Sequence, residues 1–376
     1  MGSPLAGILV LDLSRVLAGP FCTMMLGDLG ARVLKVEHPR DGDVTRGWGP
    51  PHHAATGLSA YYLSVNRNKE SIALDLATPA GAESVRRLAR RADVLVENFP
   101  PGSFEKFGLS LEDLRRENPR LVTASITGFG RSGPDAPAPG FDLLAQAGAG
   151  LMAITGDAEG GPTKVGVAVS DLLAGCYAAI GTLAALASRE RTGRGGHVET
   201  DLFSATLASL INVAQSALLT GEESTRHGNA HPQIVPYRTF EASDGDFVLG
   251  VGTDRQFERL AVLVGRPEWS ERWGSNAARV RDRERLEAEL TAIFRSETRE
   301  TWVARCGAAG IPAGPVRGPL EALLSETARS LGSVVESGGV RFVASPIRVE
   351  GQERRLEFPP ALDADGEKIK KEFGLP

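Results

Sequence analysis

Residues 7–37, GILVLDLSRVLAGPFCTMMLGDLGARVLKVE, decide the fold. The run 7–14 (GILVLDLS) is short and apolar, as a strand buried on both faces must be. Residues 19–29 read as a helix, and Gly30 ends it, because glycine takes the left-handed conformation at no steric cost. Residues 32–37 (RVLKVE) are a second strand. Strand, helix and strand in so short a span make a βαβ unit, and such units build parallel sheets.

Working outward, the alternation continues. Strands are predicted over 71–76, 93–98 and 121–127, and helices over 79–91, with Pro79 in the first turn, and 111–118. The class is therefore α/β, with a doubly wound, Rossmann-like large domain. Residues 38–68 are rich in Gly, Pro and Asn and read as a long loop, which in a compact domain is commonly functional. Helices follow over 141–154 and 171–192, then a strand over 197–201 and an apolar helix over 202–219. After Gly221 the texture changes. Residues 237–242 and 246–251 flank Ser243-Asp244-Gly245 as a hairpin, and charged amphipathic helices run from 254 to 307. We expect residues 1–222 to be the first part of the large domain, 223–325 a smaller α+β domain, and 326–376 a tail returning to the large domain, with strands at 340–343 and 347–349.

Composition narrows the function classes. The 376 residues carry a formal net charge of −5, which gives no reason to expect nucleic acid or an anionic membrane as partner. Cys22, Cys176 and Cys306 are far apart and lack CxxC spacing, so neither a disulfide framework nor a zinc site is expected. The six histidines form no HExxH motif, and no metal is expected. No basic segment followed by an apolar core opens the chain, and the apolar stretch 172–188 is short for a membrane span. A cytoplasmic location is the expectation.

Several local features could carry chemistry. Residues 128–133 (GFGRSG) match GxGxxG, but Pro134 and Pro139 follow where a dinucleotide-binding helix would have to open. A glycine loop near some other ligand is the better reading. Asp171 stands between the apolar run 165–169 and a long apolar helix. It could cap that helix, as could Ser170, or it could be a nucleophile stabilised as an anion by the helix terminus. Arg15, Lys35, Arg46 and Lys106 fall near predicted strand ends or loops, where open sheets bind ligands and cations can pair with phosphates. Each is also readable as surface charge.

Segments 9–20 (LVLDLSRVLAGP), 27–37 (GDLGARVLKVE), 42–48 (GDVTRGW), 66–72 (NRNKESI), 93–99 (DVLVENF), 140–142 (GFD) and 166–171 (GVAVSD) together resemble the class III CoA-transferases. The resemblance spans nearly the whole chain. It implies an enzyme without a prosthetic group that moves CoA from an acyl-CoA to a carboxylic acid, with Asp171 as nucleophile. It implies CoA contacts at Val16, Leu17, Ala18, His38, Leu74, Asn98, Phe99, Lys106 and Phe107. Some relatives have arginine at the His38 position, and the family lysine near Pro139 is absent. It further implies an interlocked homodimer whose large domain is built from both chain ends. Racemases of the same fold use a Gly-His-Asp triplet for proton transfer. Here the triplet is Gly140-Phe141-Asp142, and phenylalanine exchanges no proton. A racemase-like enzyme and a non-catalytic CoA-binding protein are the alternatives. Residues 56–72 and 228–237 are most similar to the branch that uses succinyl-CoA with dicarboxylic acids. That likeness implies substrate contacts at Arg46, Arg67, Phe141 and His231, the two arginines being candidates for a distal carboxylate.

Overall fold

The computed structural model describes residues 2–352 and 356–376. The first elements are β1 (Leu9–Asp12), α1 (Ala18–Asp28), β2 (Arg32–Glu37), α2 (Ala60–Val65), β3 (Lys69–Ala73), α3 (Pro79–Arg91) and β4 (Val94–Glu97). They are followed by α4 (Ser103–Lys106), α5 (Leu111–Glu117), β5 (Val122–Thr127), α6 (Asp142–Gly148), α7 (Leu151–Ile154), α8 (Val169–Thr192), β6 (His197–Asp201), α9 (Leu202–Ser209) and α10 (Ile211–Thr220). All six strands are parallel, in the order β3-β2-β1-β4-β5-β6. This is the doubly wound arrangement that the sequence predicts.

Strand alternation divides the core. Leu11, Leu34, Val36 and Leu95 pack with α3, α5 and the C-terminal helix Gly366–Phe373. Val10, Val33, Val94, Val96 and Ala124 pack with α1, α8 and α9 on the other face. Both faces are covered, which is why the strands read as apolar runs.

Contacts divide the chain into two compact units. The first contains Met1–Met152, Lys164–Glu222 and Thr327–Pro376. The second contains Ala153–Thr163 and Glu223–Glu326. In the second unit β7 (Tyr237–Ala242), β8 (Gly245–Gly250) and β9 (Ala313–Pro315) form an antiparallel sheet. Phe294 meets Phe240, Phe247 and Trp302 edge to face, with centroids 5.0–5.1 Å apart, and these rings anchor its core.

The structure corrects several element boundaries. The helix expected over 141–154 breaks after Gly148, and Gly150 turns the chain with φ +85°. The helix expected over 202–219 bends by 81° between α9 and α10. The loop over 38–68 contains a 3-10 turn, Val44–Gly47, and α2, which Ser59 caps by accepting from the Tyr62 amide. The tail forms a hairpin from Val334–Ser337 and Val340–Val343, whereas 347–349 is not a strand. By length and composition α8 could cross a bilayer; here it lies against β5, β6, α1 and α9.

Candidate active site

The site is built on the β1–α1 turn. β1 ends in Asp12, which is fully buried and accepts from the Ser14 amide and hydroxyl, the Thr23 hydroxyl and the Lys69 ammonium. Beside it Lys35 Nζ donates to the Ser14 carbonyl (3.0 Å) and to Asp43 Oδ2 (3.0 Å). Asp43 in turn accepts from the Val16 amide at 3.2 Å and from Thr45. Asn98 holds the turn from the other side: its Oδ1 accepts from the Arg15 amide (2.8 Å), and its Nδ2 donates to the Arg15 carbonyl (2.7 Å). These bonds keep Val16 at φ 71°, a conformation that a β-branched residue adopts only when its surroundings impose it.

Buried charges persist here because each is paired. Burial pushes the Asp12 carboxyl up, yet Lys69, Lys35 and the two hydroxyls together bring it down to about 2. Burial lowers Lys69 to about 8, with Asp12 opposing the shift.

The turn delivers the Ala18 amide to Asp171, whose carboxylate accepts from it. A glycine makes this approach possible. A Cβ on Gly175, four residues along α8 and on the same face as Asp171, would lie 2.6 Å from the Ala18 carbonyl oxygen. Only glycine lets the start of α1 sit this close.

Asp171 is not the cap of α8. The cap position is Ala168, which makes no side-chain capping bond, and Asp171 occupies the first turn. Asp142 Oδ1 supplies the missing acceptor, taking the Ser170 amide at 2.8 Å. The helix terminus favours the Asp171 anion, but other influences outweigh it. Burial raises its carboxyl first, Asp142 raises it further, and the Ala18 bond opposes both, leaving it at about 7. Tyr61, missed in the sequence, stands edge-on to Trp48 with centroids 5.1 Å apart. Burial, Asp171 and Asp142 push its hydroxyl up to about 12, so it remains a donor. Tyr61 lies within the likeness over 56–72, but no spacing rule marks an aromatic donor there.

His38, Leu74, Phe99 and Phe107 come together around a cavity of about 190 Å³, with Arg15 at its wall. The Arg15 guanidinium lies 5.2 Å from the Phe99 ring centre, and Phe107 meets Phe99 edge-on. Val16, Leu17 and Ala18 form the turn beside Asp171. Asn98 clamps that turn, and Lys106 is exposed at the end of α4.

Other expected residues are engaged elsewhere. Lys35 is fully buried and paired with Asp43, so it offers no phosphate contact. Arg46 binds both Glu37 oxygens, the Tyr62 hydroxyl and the Pro360 carbonyl. Arg67 binds both Asp28 oxygens and the Val343 carbonyl. Each guanidinium already has a carboxylate partner in the fold. Phe141 is 64% exposed. His231, in the second unit, meets Tyr237 edge-on. The glycine loop also has an internal use. A Cβ on Gly128 would lie 2.4 Å from Gly140 Cα, so the two glycines allow two backbone segments to cross. Among the described residues no cluster of His, Cys, Asp or Glu could hold a metal ion.

The chain is 44% identical to a succinyl-CoA:glutarate CoA-transferase of Mus musculus, over 83% of this chain and 72% of that protein. It is 38% identical to an acetyl-CoA:oxalate CoA-transferase of Acetobacter aceti, over 99% and 96%. The crystal structure of a CAIB/BAIF family protein from Brucella suis superposes with a TM-score of 0.91 at 39% identity, covering 99% of this chain and all of that one. The model of CoA-transferase family III matches residues 5–366, and the chain belongs to that family of CoA-transferases.

Proposed function

We propose that this enzyme transfers CoA from succinyl-CoA to a dicarboxylic acid through covalent intermediates on Asp171. The observation that carries the reading is a half-buried carboxylate, held by one amide, whose pKa of about 7 combines basicity with ionisation near neutral pH. The Asp171 oxygen attacks the thioester carbonyl, the C–S bond breaks, and an aspartyl anhydride and CoA thiolate form. The thiolate attacks the aspartyl carbonyl and releases the donor acid, leaving an aspartyl-CoA thioester. The acceptor carboxylate attacks that thioester, giving a second anhydride and free thiolate. Thiolate attack on the acceptor carbonyl then yields the new thioester and frees Asp171. No water is consumed, so its exclusion conserves the thioester.

The cavity at His38, Phe99 and Phe107 supports a place for the CoA moiety, with an aromatic wall and the Arg15 cation beside it. Phe141, adjoining Asp142, offers no proton-transfer group, which disfavours racemisation. A homodimer is part of the proposal. Ile211, Leu218 and Leu219 on α10 are 74–80% exposed, an apolar face of the kind a second copy buries. Light scattering should give twice the chain mass; a monomer would remove this part.

The substrate assignment rests on likeness to relatives named for dicarboxylic acids. With succinyl-CoA as donor, kcat/KM for glutarate-like acids should exceed that for monocarboxylates of equal length by on the order of tenfold or more. Better turnover of monocarboxylates or carnitine would overturn it.

A further inference from the structure

α8 begins without a cap of its own, and residues 165–170, at its start, are tied down by two side chains on α6. Gln146 is fully buried, and its amide is bonded at both ends. Its Oε1 accepts from the Val165 amide at 2.9 Å. Its Nε2 donates to Asp142 Oδ2 at 2.7 Å, with a longer contact of 3.4 Å to the Val167 carbonyl. Asp142 lies one turn before Gln146 on the same face of α6, and its other oxygen takes the Ser170 amide. Ser170, also fully buried, is joined to Thr206 of α9 through their hydroxyls at 2.7 Å. The residue after Ser170 is Asp171.

We propose that Gln146 is a positioning residue for CoA transfer: by orienting Asp142 and gripping Val165, it fixes the backbone that aims the Asp171 carboxylate. The proposal rests on the reading of Asp171 as nucleophile. Gln146 itself touches no substrate. Its two ends have opposite hydrogen-bond character, and the site needs both. The Val165 amide requires an acceptor, whereas the Asp142 carboxylate requires a donor. No other side chain of this length and shape presents both at once. Without the donor, one Asp142 oxygen loses its hydrogen bond, and the carboxylate can turn away from Ser170. The displacement that follows is small, but covalent catalysis is sensitive to misplacement of about 1 Å, which can cost roughly 10²-fold.

The test uses the full-length enzyme with Gln146→Met, Gln146→Glu and the exchanged pair Asp142→Asn/Gln146→Glu. In the exchanged pair the new amide on the first turn of α6 would accept from the Ser170 amide and donate to the new carboxylate one turn on. That carboxylate would accept from the Val165 amide, so the network is rebuilt with its charge moved. We expect Gln146→Met and Gln146→Glu to lower kcat on the order of 10²-fold, with KM for the acyl-CoA changed less than about threefold. The exchanged pair should recover at least roughly a tenth of wild-type kcat. A residue that served core packing alone would show no rescue by exchange, and that result overturns the proposal, as does a kcat within about threefold of wild type in Gln146→Met. Hydroxylamine trapping separates this from the underlying reading. Wild type incubated with acyl-CoA should yield a hydroxamate at Asp171, and Gln146→Met should yield it more slowly. No hydroxamate in wild type rejects the nucleophile; equal trapping rates in both reject only the role of Gln146.

Discussion

Asp171→Asn should lower CoA transfer on the order of 10⁴-fold or more while making the protein more stable at neutral pH. The first effect follows from removing the atom that forms the bond, and losses of a nucleophile are among the largest in enzymes. The second follows from linkage. The folded-state pKa of Asp171 is raised from 3.8 to about 7, by burial first and Asp142 second. An acid whose pKa is raised on folding binds protons more tightly in the folded state, so its contribution to stability declines as pH rises from about 4 through 7. Above that range the folded protein carries an ionised group in a place that disfavours it. Asparagine removes that cost and can still accept from the Ala18 amide. Because Asp171 is only half-buried, solvent reduces the effect to about 1–2 kcal/mol. Thermal melts at about pH 8 should show the variant above wild type, and the gap should shrink at about pH 5. Binding of CoA should persist. Wild-type activity in Asp171→Asn or Asp171→Ala would end the covalent scheme. Equal melting temperatures on the alkaline side would show that the wild-type site tolerates the charge without strain.

The sequence revealed the sheet more fully than the site. The strands could be read because burial on both faces demands apolar runs, and 7–14 and 93–98 contain little else. Helix breaks escaped where the cause was a single backbone angle, as at Gly150, or a bend between two apolar segments, as at Leu210. At the site, likeness to a family pointed to Asp171, but its surroundings depend on contacts distant in sequence. Asp142 substitutes for a helix cap from 28 residues away. The partners of Arg46 and Arg67 were not legible, because charge in a loop carries no mark of its partner. Glu37 and Asp28, which claim them, lie 9 and 39 residues off. Gln146 reads as one more polar residue on a helix until the Val165 amide is seen against it.

Lys35→Met should cost about 3–5 kcal/mol of stability, the usual penalty for removing one partner of a buried ion pair. Lys35 and Asp43 are buried to 0–1% exposure, and the carboxylate left behind has no solvent to turn to. Burial pushes Asp43 up, and Lys35, first among its partners, brings it below the usual carboxylate range. A depressed carboxylate contributes stability above its unfolded pKa and loses it as pH falls through the folded value. The variant should therefore have lost most of this acid-side dependence. The companion Lys35→Met/Asp43→Leu removes both charges and should regain much of the stability, since an apolar pair of similar volume is often neutral in such a place. It should not regain activity. Asp43 also accepts from the Val16 amide, and Lys35 also donates to the Ser14 carbonyl, and these bonds hold the turn that carries the Ala18 amide to Asp171. Denaturant melts and kcat measured on both variants separate the two roles. Recovery of stability and activity together would mean that the turn keeps its shape unaided. Recovery of stability alone would mean that the buried charges are retained for the geometry they impose on the nucleophile's partner.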